Sequence, residues 1–199
     1  MLIDEFRVIA DDAVCRHPGH VDVVPTGVSP SPHGPLVTWT GGSVLPRQDN
    51  GRTVAPPPAQ DVLRVLARTL ALRWQTGRAV VPDDWDATLR ARHPRTFEDG
   101  GPYSGGGWRW LWEAGASLIS EAGATGFRTT QTKEKFAQAR WYYSIEGKTR
   151  KAMRNEVNTI VDCVEHLSAF ICETCGAPGR IRHGGWSKAC CDAHAAGKK

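Results

Sequence analysis

The sequence predicts an α+β fold: helices packed on a small antiparallel β-hairpin or sheet, followed by a compact C-terminal unit. Three observations predict it. Apolar residues recur at three-and-four spacing over 60–76 and 149–170, and the period changes to two across 127–146. Cys172-x2-Cys175 is then answered, fifteen residues later, by Cys191-x2-His194. The chain divides accordingly into an irregular Pro/Gly-rich segment with short strands over 1–58, an α+β core over 59–171 and a terminal unit over 172–199.

With 199 residues, 40% of them hydrophobic, and with 21 Gly and 13 Pro, the composition suits one core whose ordered elements are joined by irregular loops. In the first segment, Phe6 to Ala10 reads as a β-like start, and Val21 to Val24 and Leu36 to Thr40 as short strands. The intervening prolines and Gly41-Gly42 read as loop. After Pro56-Pro57-Pro58 a helix is expected from about Gln60 to Thr76, with Leu63, Leu66, Leu70 and Trp74 on one face and Gly77 as its stop. A shorter helix follows from Asp84 to about Arg92, with Asp83 as N-cap and Pro94 beyond its end. The glycine-rich stretch Gly100 to Gly107 opens a third helix, striped by Trp108, Leu111, Trp112, Gly115, Leu118 and Ile119. Trp110 faces away from that stripe.

Phe127 to Lys135 and Ala139 to Glu146 alternate as strands, predicting a hairpin closed near Phe136-Ala137-Gln138. Trp141, Tyr143 and Ile145 fall on one side, Arg140, Tyr142 and Ser144 on the other. A long helix from about Thr149 to Phe170 carries a narrow apolar seam, expected to pack on the hairpin and on the Trp108 helix. It runs almost directly into Cys172, which would fix the terminal unit to the core.

Net charge is +4, unevenly spread: residues 128–199 hold thirteen Lys/Arg and seven Asp/Glu, net +6, and residues 1–127 are net −2. A basic C-terminal third suits a nucleic acid or an acidic protein surface, or is simply a solvated face. No apolar run approaches the roughly 18 residues a membrane span needs. Met1-Leu2-Ile3-Asp4-Glu5 lacks the basic flank and apolar stretch of a signal peptide. Four of six cysteines gather in the terminal pattern, leaving Cys15 and Cys163, so the expected compartment is a reducing cytoplasm. The chain has no phosphate-binding loop ending in Lys-Ser/Thr, no nucleophile elbow and no His-Glu-x2-His, and it reads as non-enzymatic. Asp83, Asp84 and Asp86 are explained by helix capping, and Gly105-Gly106-Gly107 as an anion cradle or, by default, a flexible linker.

Short Cys-x2-Cys turns supply two soft donors at once, and two such pairs make a tetrahedral zinc site. The expected ligands are Cys172, Cys175, Cys191 and His194; Cys190-x3-His194 also lies within reach, with Cys191 preferred because it mirrors the first pair. Three thiolates and an imidazole leave no position for water, so the Zn2+ is expected to be structural. Gly176 suits a left-handed turn, and Trp186 a small hydrophobic plug. Cys15, His17 and His20 offer a second metal site or an exposed loop. Cys163 and His166 stand one helical turn apart, where a buried structural cysteine is the simpler reading.

Residues 106–194 resemble a family of small, largely uncharacterised bacterial and phage proteins. The resemblance rests on Gly107-Trp108 opening a helix, on Lys133-Glu134-Lys135-Phe136 with Arg140-Trp141-Tyr142 in a hairpin, and on the Cys3His ribbon. In the ribbon the family's Cys-Glu-x-Cys-Gly-x-Pro-Gly, Gly-Trp and Cys-Asp-x-His-Ala stand here as Cys172-Glu173-Thr174-Cys175-Gly176-Ala177-Pro178-Gly179, Gly185-Trp186 and Cys191-Asp192-Ala193-His194-Ala195. It supports Cys191 over Cys190. In the hairpin, Ala137-Gln138 stand where the family has two glycines and Ala139 where it has leucine. The resemblance implies a phage or mobile-element setting and carries no activity.

Two binding functions follow. The first expectation is a protein partner, such as a host defence or regulatory complex, contacted through exposed aromatics with Trp110 as anchor and Trp39 as a further candidate. The alternative is nucleic acid bound by Lys133, Lys135, Arg140, Trp141 and Tyr142 of the hairpin with Arg180, Arg182 and Lys188 of the terminal unit.

Overall fold

Leu2, Phe6, Ile9, Ala10 and Ala13 lie at helical spacing, and Leu2–Val14 form helix α1 with Asp4 and Glu5 at its positive N-terminal end. The β-like reading of Phe6 to Ala10 is therefore corrected. Within five residues the aromatic and β-branched content suits a strand, but the longer window buries Phe6, Ile9, Ala10, Ala13 and Val14 along one helical face. The computed structural model describes residues 1–14, 21–42, 47–49, 52–54, 57–98 and 101–195.

Strands β1 (Val24–Ser31) and β2 (Gly34–Thr40) form an antiparallel hairpin, and β3 (Arg47–Asp49) and β4 (Arg52–Val54) a shorter one. The first takes in Pro25 and Pro30, which the sequence reading left in loop. A two-stranded hairpin has open edges, where a residue without an N–H is tolerated. Helix α2 (Ala59–Arg73) is the centre of the molecule: Leu63, Leu66 and Leu70 are fully buried, and the helix packs on α1, β2 and the later helices α4 (Arg109–Glu121) and α5 (Lys151–Ser168). Gly77 caps its end with a left-handed φ of 71° and an N–H bonded to the Trp74 carbonyl.

Helix α3 (Trp85–Arg92) starts one residue later than expected, with Asp84 at its N-cap. Asp84 accepts from the Thr88 hydroxyl and Asp86 pairs with Arg90, so these carboxylates serve the helix. A 3-10 turn over Gly106–Trp108 leads into α4. Strands β5 (Phe127–Lys135) and β6 (Gln138–Ile145) form the expected hairpin, joined by the two-residue turn Phe136-Ala137. Helix α5 carries the seam, with Val157, Ile160, Val164 and Leu167 fully buried.

The seam, the hairpin and α4 meet at Gly115, where an added Cβ would lie 2.7 Å from the Trp141 ring and 2.8 Å from Val164. Trp141 is 3% exposed, packs edge-on to Trp112 and stacks on Phe97, and donates from Nε1 to Thr129 Oγ1 at 2.8 Å. It belongs to the core rather than to a binding surface, which corrects its place in the expected interface. Trp110 is corrected in the same way. It is 3% exposed against Leu72 and Ala114, and the Arg73 and Arg109 guanidiniums lie over its ring. The face opposite the main stripe is covered by a second small cluster.

Candidate metal centre and basic-aromatic face

The terminal unit consists of the Cys172–Cys175 turn, strands β7 (Arg180–Arg182) and β8 (Lys188–Cys190) in antiparallel pairing, and the short helix α6 (Asp192–Ala195). The turn and α6 bring Cys172, Cys175, Cys191 and His194 together, their donor atoms all within 4.8 Å of one another, and the four can hold one metal ion. Cys175 Sγ and Cys191 Sγ are 3.8 Å apart, and His194 Nδ1 lies 3.5 Å from Cys172 Sγ and 3.2 Å from Cys191 Sγ. Cys190 is buried outside this set, its carbonyl accepting from Arg182 Nε. The hydrogen bond from Cys175, followed by backbone N–H groups of Cys191, Cys175 and Thr174, holds the Cys172 thiol down at about 4 despite burial. The same bond pushes Cys175 up.

Three features seat this unit on the core. Gly107 N–H donates to the Glu173 carbonyl at 2.7 Å, and the fully buried Trp108 donates from Nε1 to the Ile171 carbonyl at 2.9 Å. Gly105 N–H donates to the Glu173 carboxylate at 3.0 Å. The Gly105-Gly106-Gly107 stretch is thus neither a free linker nor an open anion cradle; its amides at 105 and 107 are taken by Glu173. Gly176 has φ 73°, and a Cβ there would lie 2.7 Å from the Trp110 ring, so the left-handed turn and the close approach both demand glycine.

On the hairpin, Lys133 pairs with Arg140, Lys135 with Gln138 and Gln131 with Tyr142. All six therefore share the outer face, opposite Trp141. Lys133 Nζ lies 4.7 Å from the Tyr142 ring centroid. Arg140 is held by Gln138 Oε1 and lies 3.6 Å from Glu165. The two arginines of the terminal unit are less free: Arg182 is bonded to Asp192, and Arg180 lies 3.6 Å from it. Trp39 is half-buried on Phe6 and donates to Gln60 Oε1.

Cys163 is buried and its thiol pushed up by desolvation, and His166 Nε2 lies 2.9 Å from the Ala13 carbonyl, so the pair reads as core structure. Cys15, His17 and His20 lie outside the described residues. Sequence reading missed Phe136, and it misassigned Trp186. Trp186 is 69% exposed and plugs nothing; Phe136 is 75% exposed at the hairpin turn. A signal was present for the first, a large apolar residue where the alternation predicts a turn. Among the described residues no helix is long and apolar enough to cross a membrane. No protein-family model matches the chain, and neither a curated protein nor a solved structure resembles it significantly.

Proposed function

We propose that the chain is a non-enzymatic binding protein in which a structural zinc ion closes the terminal unit and the outer face of the β5–β6 hairpin contacts nucleic acid. For zinc, bonds of about 2.3 Å to sulfur and about 2.0 Å to nitrogen give tetrahedral edges of about 3.8 Å between sulfurs and about 3.5 Å between sulfur and nitrogen. The Cys175–Cys191 and Cys172–His194 separations match those edges, and Cys191–His194, at 3.2 Å, is about 0.3 Å shorter. Four protein donors complete the shell, which supports a structural role.

The observation that carries the nucleic-acid reading is the sharing of one solvent face by Lys133, Lys135, Arg140 and Tyr142, with a cation over a ring. The burial of Trp110 weighs against the first expectation, a protein partner, because its intended anchor is covered. A phage or mobile-element setting suits either target. Fluorescence anisotropy of zinc-loaded protein with labelled DNA and RNA, single- and double-stranded, at low and physiological salt tests the proposal. Neutralising three or four phosphates of a single strand predicts a log–log salt slope of about −2 to −3. Lys133→Glu and Arg140→Glu should weaken binding of every sequence alike. Absence of binding at either salt would sink the reading and return a protein partner to first place.

A further inference from the structure

Phe136 and Trp186 carry the two most exposed aromatic rings among the described residues, and they line one cleft of about 390 Å³ between the hairpin tip and the 183–187 loop of the terminal unit. We infer that this cleft takes an unpaired nucleobase, stacked on Phe136 and Trp186, so that the ligand is single-stranded; the inference rests on the nucleic-acid reading above.

The backbone under Phe136 is the first support. Its φ is 54°, followed by 63° at Ala137, the two left-handed positions of a hairpin turn normally filled by Asn-Gly or Gly-Gly. A bulky residue is strained there, and with three-quarters of its surface in solvent no burial offsets the strain. Fold alone would choose glycine. Charge is the second support. Lys135 Nζ lies 5.3 Å from the Phe136 ring centroid, Lys133 stands over Tyr142, and Lys188 lies beside Trp186. Among the described residues none of these three lysines has an ion-pair partner. The cleft's own carboxylate, Glu134, is engaged at 2.5 Å by the Ala137 N–H and serves the turn.

Exposed rings with Lys135 and Lys188 beside them suit the bases and phosphates of a single strand. A duplex offers no base face to such rings, because its bases already stack on one another. Across the cleft, Gly184 and Gly185 have open space where a Cβ would stand, so nothing obstructs entry beside Trp186.

Anisotropy of the zinc-loaded full chain tests this with three labelled probes: an oligothymidylate of about twelve nucleotides, an abasic phosphodiester strand of equal length, and a duplex. The variants are Phe136→Gly, which relieves the strained backbone, and Trp186→Ala in an exposed loop; neither should lower the melting temperature. Each should weaken oligothymidylate binding roughly 5- to 150-fold, the loss of one stacked base, without changing the salt slope. The abasic strand should bind wild type as weakly as oligothymidylate binds the variants. Equal binding of oligothymidylate by wild type and both variants, with loss only in Lys133→Glu and Arg140→Glu, overturns the clamp and leaves the basic face standing. Preference for the duplex also overturns it. No binding of any probe overturns both, and the cleft then belongs to a peptide.

Discussion

Alanine is favoured over glycine by about 0.5–1 kcal/mol inside a helix, so Gly107→Ala, in the turn that opens α4, would ordinarily be neutral or stabilising. Here the sign reverses. The added Cβ would lie 2.3 Å from the Cys172 carbonyl oxygen and 2.6 Å from the amide nitrogens of Cys175 and Gly176. All three are backbone atoms of the metal-binding turn and cannot rotate away. Restoring ordinary contact moves that turn by about 1 Å. The displacement stretches the 2.7 Å bond from Gly107 N–H to Glu173 and the 2.9 Å bond from Trp108 Nε1 to Ile171. Overpacking costs about 1–3 kcal/mol, and two weakened buried bonds add about 1 kcal/mol each. The total, about 3–5 kcal/mol, lowers the melting temperature by roughly 6–20 °C for a chain of this size. Thermal and urea melts of zinc-loaded protein, followed by circular dichroism, read it. A melt of Gly107→Ala at or above wild type would refute the seating of the terminal unit on Gly107.

Chelation should expose the chain after Ile171 to protease while the α2, α4 and α5 bundle stays resistant, as limited proteolysis with mass spectrometry would show; a fully protected tail would remove the metal assignment. Trp110→Ala should destabilise by about 3–5 kcal/mol in urea, whereas an exposed ring would change stability by less than about 0.5 kcal/mol. Glu165, which accepts the Trp141 N–H at 2.6 Å, has its carboxyl raised above the usual 4.5 chiefly by desolvation, with Asp162 adding to the rise and Arg140 opposing it. The folded chain therefore holds this proton to higher pH than the unfolded chain, and the stability it contributes is present at low pH and falls as pH rises from 4.5 through the folded value. Glu165→Gln keeps an acceptor for Trp141 without the charge, so it should gain on wild type as pH rises over that window in urea midpoints; parallel curves would contradict this.

Elements with a long periodic signal were legible in the sequence. Strand β5 falls on the expected residues and α5 within two residues of the expected ends at each side. The gathering of Cys172, Cys175, Cys191 and His194 was legible because a two-residue spacing keeps the members of each pair close whatever the rest of the chain does. Helix α1 was not, because its apolar set includes a stretch, Phe6-Arg7-Val8-Ile9-Ala10, whose aromatic and β-branched residues also suit a strand. Trp110 failed for a different reason. A helical stripe identifies the main core face, but Leu72 and the Arg73 guanidinium cover the opposite face from a helix some 40 residues away in sequence, and one helix's periodicity carries no record of that. Position 137 has φ 63°, where glycine fits without strain and alanine does not, a demand the strand alternation on either side does not reveal.

The segment outside the resemblance bears on the site through Arg73. Its Nη1 reaches both carboxylate oxygens of Glu5 in α1, at 2.8 and 2.7 Å, while Trp74 Nε1 donates to the same carboxylate and Arg73 Nη2 reaches the Cys175 carbonyl at 3.4 Å. Arg73 is 6% exposed, and a buried ion pair adds little net stability because desolvation offsets the attraction. What it contributes is orientation. The terminal unit is held on one side by Gly107 and Trp108 and on another by Arg73, while the hairpin is fixed to the core through Trp141. The proposed clamp asks two rings on separate loop tips to receive a base at one spacing. Helix α1, remote from the cleft in sequence, takes part in seating the terminal unit through Glu5 and Arg73.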